Sequence, residues 1–334
     1  MGESSVYTQL AELIGAGASK VVPRIFASLV TESEAKVLLA SAPPATVAEL
    51  SQKTGIDAAG IERMVDPLFR KGLLFKSKKP DGTRYYRVRH VLQFHDATAV
   101  MQDPPQLMLD LWKEFMRTEW DDTIKMFESV LPRAAVRVIP INTAVEPNSQ
   151  ILAMDDVGKL IDGARTIAVT KCSCRVIDGA CGKPLDVCMQ LDRAAEYSIE
   201  RGTGRPLTRE QALRMLEQCE ADGLVHVAEN KQGVGNVICN CCNDCCINWT
   251  SIRSGLGKFV APSRFRAAIQ AEDCNGCELC VPRCFFDAMH MVEADTLAAV
   301  DQEKCMGCGV CRVVCPTDAI SMELVRPQEF IPAH

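Results

Sequence analysis

Cys274-Asn-Gly-Cys277-Glu-Leu-Cys280-Val-Pro-Arg-Cys284 is followed, 31 residues on, by Cys305-Met-Gly-Cys308-Gly-Val-Cys311-Arg-Val-Val-Cys315-Pro316. Both runs read C-x-x-C-x-x-C-x-x-x-C. The repeat extends beyond the thiols, because Asp287-Ala288 and Met291 recur as Asp318-Ala319 and Met322. Two copies of one spacing at a fixed offset mark an internal duplication. The whole chain of 334 residues holds 18 cysteines, none before Cys172 and all between Cys172 and Cys315. A secreted disulfide scaffold would be short and would begin with a basic and then an apolar leader. Here the first basic residue is Lys20. No apolar run approaches ~18 residues, so no membrane span is expected. The chain therefore reads as cytoplasmic, and its cysteines as metal ligands rather than disulfide partners.

The paired runs resemble those of the bacterial-type two-cluster 4Fe–4S ferredoxin. The resemblance implies two 4Fe–4S clusters whose ligands cross between runs. Cys274, Cys277, Cys280 and Cys315 would serve the first cluster, and Cys284, Cys305, Cys308 and Cys311 the second. Phe285 departs from the pattern, since proline is usual at that place and Pro316 keeps it in the second run. The departure bears on the local turn and not on ligation. This ferredoxin domain is expected over residues 266–325, with a tail at 326–334.

Working back toward the N-terminus, residues 101–265 read as a mixed α/β, cysteine-rich domain. Trp112, Phe115, Trp120, Ile124 and Phe127 belong to one or two packed helices. Ala134–Ile141 and Thr166–Thr170 are strand-like, Asp155 and Asp156 open a helix, and another helix covers about 191–201. Thr208-Arg-Glu-Gln211 is a capping box. Cys219 lies on the apolar stripe of the helix that follows and reads as a buried, inert thiol.

Two thiol groups remain: Cys172, Cys174, Cys181 and Cys188, and then Cys239, Cys241, Cys242, Cys245 and Cys246 in a cysteine-dense loop. Thiolates converging on one point need a cation, which favours a soft metal or an iron–sulfur cluster, with zinc as the alternative. The spacing predicts one or two further iron–sulfur clusters here, one group per site or with ligands mixed between groups. Lys171 and Arg175 would offset their negative charge. Asn142–Pro147, Glu200–Arg205, Gly223–His226 and the cysteine-dense stretch also resemble a family of anaerobe iron–sulfur binding proteins. That resemblance implies clusters and electron transfer, and no substrate.

The N-terminal residues 1–100 carry 13 Lys+Arg against 10 Asp+Glu, whereas 151–334 carry 19 against 25. Thr31-Glu-Ser-Glu34 caps a first helix, Thr46 and Gly55 bound a second, and Asp57 opens a third that Gly72 closes. Leu73–Phe75 and Arg84–Val88 form a hairpin around a Lys79–Gly82 turn. This order resembles a winged helix-turn-helix. A helix that reads DNA presents basic or amide side chains near its start. This one starts with Asp57 and Glu62, with Asp66 one turn later, so a docking module is favoured over DNA binding.

Among the five histidines, none forms a haem-attachment or zinc-protease motif. His226 is the candidate to test, with a satisfied core histidine as its plain reading. The sequence thus describes an α+β multidomain protein with a winged-helix-like start, a mixed α/β cysteine-rich middle and a two-cluster ferredoxin-like end. The expected role is electron transfer between a low-potential donor and a partner oxidoreductase, as a carrier or subunit rather than a stand-alone enzyme. The competing readings are a redox-sensing winged-helix transcription regulator and a reductase with substrate at an unusual central cluster. The sequence does not specify an oligomeric state.

Overall fold

The computed structural model describes residues 5–80, 82–141, 144, 153–253, 257–292 and 296–333. The chain divides into two compact units. The first comprises 1–123, 173–179 and 200–203. The second comprises 124–172, 180–199 and 204–334, so the cysteine-rich middle and the C-terminal repeat share one unit. The expected boundary at residue 100 falls inside the first unit. Of the stretch Asn142–Pro147, only Ala144 is among the described residues.

The first unit opens on two helices, Val6–Leu13 and Val22–Leu29, which precede the sequence-predicted ones. Helices Glu32–Ala40 and Val47–Thr54 each start with a complete capping box, at Thr31/Glu34 and Thr46/Glu49. Asp57 caps Ala58–Arg70 by accepting from the Gly60 N–H at 2.6 Å. An antiparallel hairpin follows, β1 (Leu74–Lys79) and β2 (Gly82–Arg87). Asp81, in the predicted turn, lies outside the described residues. A bridge from Ala45 to Tyr85 ties the hairpin to the segment before the second capping box. Helix Gln106–Thr118 belongs here because Trp112 fills the interior. Its ring meets Phe94 and Phe115 edge-on, and its Nε1–H donates to Thr98 Oγ1 at 3.0 Å. Replacing a buried Trp of this kind by alanine costs about 3–5 kcal/mol.

The second unit is built on a seven-stranded sheet. Its strands are β3 (Val136–Ile139), β4 (Ile167–Lys171), β5 (Asp186–Leu191), β6 (Arg205–Pro206), β7 (Val225–Glu229), β8 (Val237–Cys241) and β9 (Val260–Ala261). Their spatial order is β6-β4-β5-β8-β7-β3-β9, antiparallel throughout except for the β3–β9 pair. Side chains of a strand alternate between faces. Met189 and Leu191 of β5, Ile238 of β8 and Ala228 of β7 pack with Leu160, Ala212 and Leu216 of helices Val157–Asp162 and Arg209–Ala221. The alternate residues, Cys188 and Gln190 of β5 and Cys239 and Cys241 of β8, therefore belong to the opposite face. The sheet separates an aliphatic, helix-covered face from a thiol-bearing one.

The sequence treats the cysteine-dense stretch as a loop. Its first part is instead strand β8, in which Val237, Cys239 and Cys241 alternate with Ile238 and Asn240. Register holds this strand, since Met189 pairs with Ile238 and Val227 with Cys239.

The C-terminal repeat forms two small antiparallel ribbons. One joins β10 (Phe265–Ile269) to β13 (Ile320–Leu324), the other β11 (Met289–Val292) to β12 (Leu297–Val300). It is tied to the sheet through Asp155. This carboxylate takes Arg264 Nη1 at 2.5 Å in a buried pair, and Arg264 also donates to the Arg326 carbonyl. The buried Arg137 guanidinium, which donates to the carbonyls of Met154 and Glu229, is pushed by burial down to about 10, against the pull of Asp155. Among the described residues, no helix is long and apolar enough to cross a membrane.

Candidate metal centres

The duplication read in the sequence is present in the backbone. Gly276 and Gly307, 31 residues apart, have φ of +69° and +67°, and Asp287 and Asp318 have φ of +52° and +55°. The glycines are required twice over. Beyond the positive φ, a Cβ at Gly307 would stand 2.1 Å from the Phe265 carbonyl oxygen, and one at Gly276 2.3 Å from that of Thr296. These turns point each cysteine loop back on itself.

Thiols of the two runs come together. The Cys280 thiol is pushed up by burial and by the neighbouring sulfurs of Cys277, Cys274 and Cys315. The Cys308 thiol is pushed up to about 12 by burial, with Cys284 and Cys305 adding to it. Cys311 is driven up by burial and by Cys308, Cys305, Cys284 and Cys280. Cys284, Cys305, Cys308 and Cys311 line one small cavity of about 20 Å³, together with Phe286, Met289 and Met322. Three buried thiols and a half-buried one around one void cannot all ionise unless a cationic group fills it. This donor set therefore fits an iron–sulfur cluster.

Backbone N–H groups point at the sulfurs. Ala288 N–H donates to Cys284 Sγ at 3.3 Å and Ala267 N–H to Cys305 Sγ at 3.5 Å. Burial pushes Cys315 up, but backbone N–H groups of Thr317, Ala319 and Ile320 together hold it below the usual thiol range. Such hydrogen bonds to sulfur raise a cluster's reduction potential. The proline-to-phenylalanine departure has a visible setting: Phe285 lies against Phe286, whose ring meets Trp249 edge-on at 5.2 Å.

In the middle region, the structure mixes the two sequence groups. Cys181, from the first, lies beside Cys242 and Cys245 of the second, with the Asp244 carboxylate between them. Asp244 was not among the sequence candidates; its place inside the Cys-Cys-Asn-Asp-Cys-Cys run was the available signal. The Cys241 thiol meets Cys239 and Cys246, whose hydrogen bonds, with burial, drive it far above the usual thiol range. Asn248 Nδ2 reaches Cys241 Sγ at 3.7 Å, and Gln190 Nε2 reaches Cys188 Sγ at 3.1 Å. Cys172 follows β4 and its N–H donates to the Leu185 carbonyl. Cys174 and Arg175 lie on helix Ser173–Asp178, in the first unit. Lys171 is exposed at the end of β4. None of the eighteen cysteines, all of them described residues, is in a disulfide.

Cys219 is 1 % exposed on the Arg209–Ala221 helix. His226, fully buried on β7, bonds Asn240 Oδ1 through Nδ1 (2.6 Å) and Glu220 Oε1 through Nε2 (3.3 Å), while Asn240 Nδ2 donates to the Val187 carbonyl. Both ring nitrogens are engaged, so His226 acts here as a strand-to-helix tie. A cleft of about 340 Å³ opens between that helix and the second run, lined by Glu217, Glu220, Arg312, Cys315 and Asp318.

Residues 267–322 match the family model of a 4Fe–4S dicluster domain. That segment is the class of structure the fold and thiol sets define: a small duplicated iron–sulfur domain, which points to electron transfer. No curated protein and no solved structure matches the chain.

Proposed function

We propose that this protein is a multi-cluster electron-transfer protein that passes single electrons between a low-potential donor and a partner oxidoreductase. The observation that carries the reading is that Cys284 of the first run joins Cys305, Cys308 and Cys311 of the second around one small cavity, inside the segment that matches a 4Fe–4S dicluster domain. Cys274, Cys277, Cys280 and Cys315 would hold one 4Fe–4S cluster, and Cys284, Cys305, Cys308 and Cys311 the other. Bound clusters supply one-electron storage at low potential. The chain contributes burial, sulfur-directed N–H groups and exclusion of water, which set that potential.

A further cluster is proposed in the middle, on the thiol-bearing face of the sheet. Cys239, Cys241 and Cys246 are in mutual reach through Cys241, and Cys188 shares their face on the adjoining strand. Cys315 lines the open cleft, which favours the first C-terminal cluster as the point of exchange with an external donor.

The first unit is proposed as a winged-helix-like module that docks a redox partner protein rather than DNA. On helix Ala58–Arg70, Arg70 is paired with Asp66 at 2.8 Å, and Glu62 is exposed beside Arg63. On the hairpin, Lys76 pairs with Glu200 at 2.7 Å and Arg84 with Glu49. Lys78 and Lys79 stay exposed on the hairpin, so the preference for a protein partner rests on the acidic start of helix Ala58–Arg70.

The deciding experiment is anaerobic iron and sulfide counting with EPR of the reduced protein. About twelve irons per chain, matched by sulfide and reduced by a low-potential donor, is the expected result for three clusters. About eight irons, with Cys239, Cys241 and Cys246 freely alkylated, would remove the central cluster. Substrate turnover by the isolated chain would replace the carrier reading with a reductase.

A further inference from the structure

The thiols beside Asp244 form a different kind of site. One ligand atom each from Cys181, Cys242, Asp244 and Cys245 all lie within 4.8 Å of one another. Among the described residues, no other group of three or more Cys, His, Asp or Glu closes to that spacing. Donors around a single tetrahedral ion at a metal–sulfur distance of about 2.3 Å stand roughly 3.8 Å apart. Thiolates on separate irons of a cubane are held farther off by the cluster itself. The eight C-terminal thiols, whose spacing calls for cubanes, do not contract to 4.8 Å; neither do Cys239, Cys241 and Cys246.

The surroundings fit one ion. Cys242 and Cys245 are buried and Cys181 is half-buried, while Asp244 is exposed, so the fourth donor closes the site from the solvent side. The Cys245 N–H donates to Asp244 Oδ1 at 2.8 Å and fixes the carboxylate over the thiols. Trp249 Nε1–H donates to the Cys242 carbonyl at 2.7 Å, and Arg253 Nη1 to the Asn243 carbonyl at 2.5 Å, which shape the loop and bring a cation to it.

We propose that Cys181, Cys242, Asp244 and Cys245 bind a single tetrahedral zinc ion, distinct from any iron–sulfur cluster. Its role is structural. Cys181 precedes β5, and the other three donors follow β8, so the ion clips together two loops about sixty residues apart in sequence. Cys241 and Cys246 flank its ligands directly in the chain. The clip therefore fixes the loop that presents the neighbouring thiol set.

The test uses the full chain, purified anaerobically, with zinc determined beside iron and sulfide and with cobalt(II) exchanged into the site. One zinc per chain is expected. The cobalt form should show the ligand-field bands of a tetrahedral ion and thiolate-to-cobalt charge transfer. Asp244→Cys should raise that charge-transfer intensity by about one third, in proportion to the thiolate count, and Cys245→Ser should lower it by about as much. The EPR signals of the C-terminal clusters should stay unchanged in both variants. If the parent chain holds no zinc, and Cys245→Ser loses about four irons and four sulfides relative to it, the group holds a cluster. If Cys181, Cys242 and Cys245 are alkylated in fully metal-loaded protein, it holds nothing. Weak octahedral cobalt bands would likewise overturn the proposal. The C-terminal signals report independently on the electron-transfer reading, so the two can fail separately.

Discussion

The C-terminal repeat and the central sheet both gather thiols, but by opposite means. In residues 267–322 the thiols stand on two short loops, each proposed set drawing three ligands from one loop and one from the other, and paired left-handed glycines and aspartates turn the backbone. In the centre, donors meet across strands: Cys181 comes to Cys242 and Cys245 from a loop far away in sequence, and Cys239 and Cys241 stand on β8 with Asn240 between them. A loop-built site encodes its ligands in their spacing. A sheet-built site encodes them in register and alternation, which only the folded chain displays.

The sharpest way to break this comparison is Cys308→Ala. A loop-built set should fail by itself, so iron and sulfide should each fall by about four per chain, with the second C-terminal EPR signal gone. The central metal content should be unchanged. Loss of central metal as well would show that the two regions assemble as one cooperative unit.

Gly307→Ala tests the turn rather than the ligand. Its Cβ meets the Phe265 carbonyl at a φ that alanine tolerates poorly, and about 2–4 kcal/mol of destabilisation is expected. Chemical unfolding followed by the cluster absorption would read it. Gly55→Ala offers a control, because it has a similar φ with nothing within 4 Å, and it should cost about 1 kcal/mol.

His226→Leu probes the sheet-built region in the same way. The substitution leaves Glu220 and Asn240 without their imidazole partner in a buried place, at a cost of about 2–3 kcal/mol. If β8 register positions the central thiols, the central EPR signal should broaden or shift while the C-terminal signals do not. An unaltered central signal would mean that strand register matters less than the loop beyond it.

The smallest effect concerns the β7–β8 connection. Burial pushes the Glu229 carboxyl up, but hydrogen bonds from Lys231 and Asn236 outweigh it and leave it below its ordinary value of 4.5. A carboxyl depressed on folding adds stability above its unfolded value and loses it as pH falls through the folded one. Glu229→Gln should therefore cost about 1 kcal/mol near neutral pH and nothing at strongly acid pH. Equal losses at both ends of the titration would trace the effect to shape instead of charge.

The same contrast explains what the sequence disclosed. The Thr31 and Thr208 capping boxes, the Thr46 and Asp57 caps and the hairpin were legible because their signals are local, and the structure carries each of them. The C-terminal iron–sulfur domain was legible through the spacing of its thiols. Helices Val6–Leu13 and Val22–Leu29 were passed over, although Ser5 is an N-cap and a proline sits in the first turn of the second helix. Strand β8 was hidden because cysteine density reads as loop, while its alternating burial depends on Met189 and Val227 beside it. Asp244 escaped notice for a related reason, since a carboxylate among thiols gains meaning only when Cys181 arrives.

The two faces of the central sheet bear on what sets the register of β8. Everything that fixes the register of β8 lies on the side turned away from the sulfurs: Ile238 in the aliphatic layer and Asn240 held by His226 and the Val187 carbonyl. A slip of one residue would bury Cys239 and Cys241 against the Arg209–Ala221 helix and expel Ile238, so the apolar side alone rejects it. The apolar side of the sheet accordingly sets the register of β8 without help from any cofactor, and leaves Cys239 and Cys241 together on the other face.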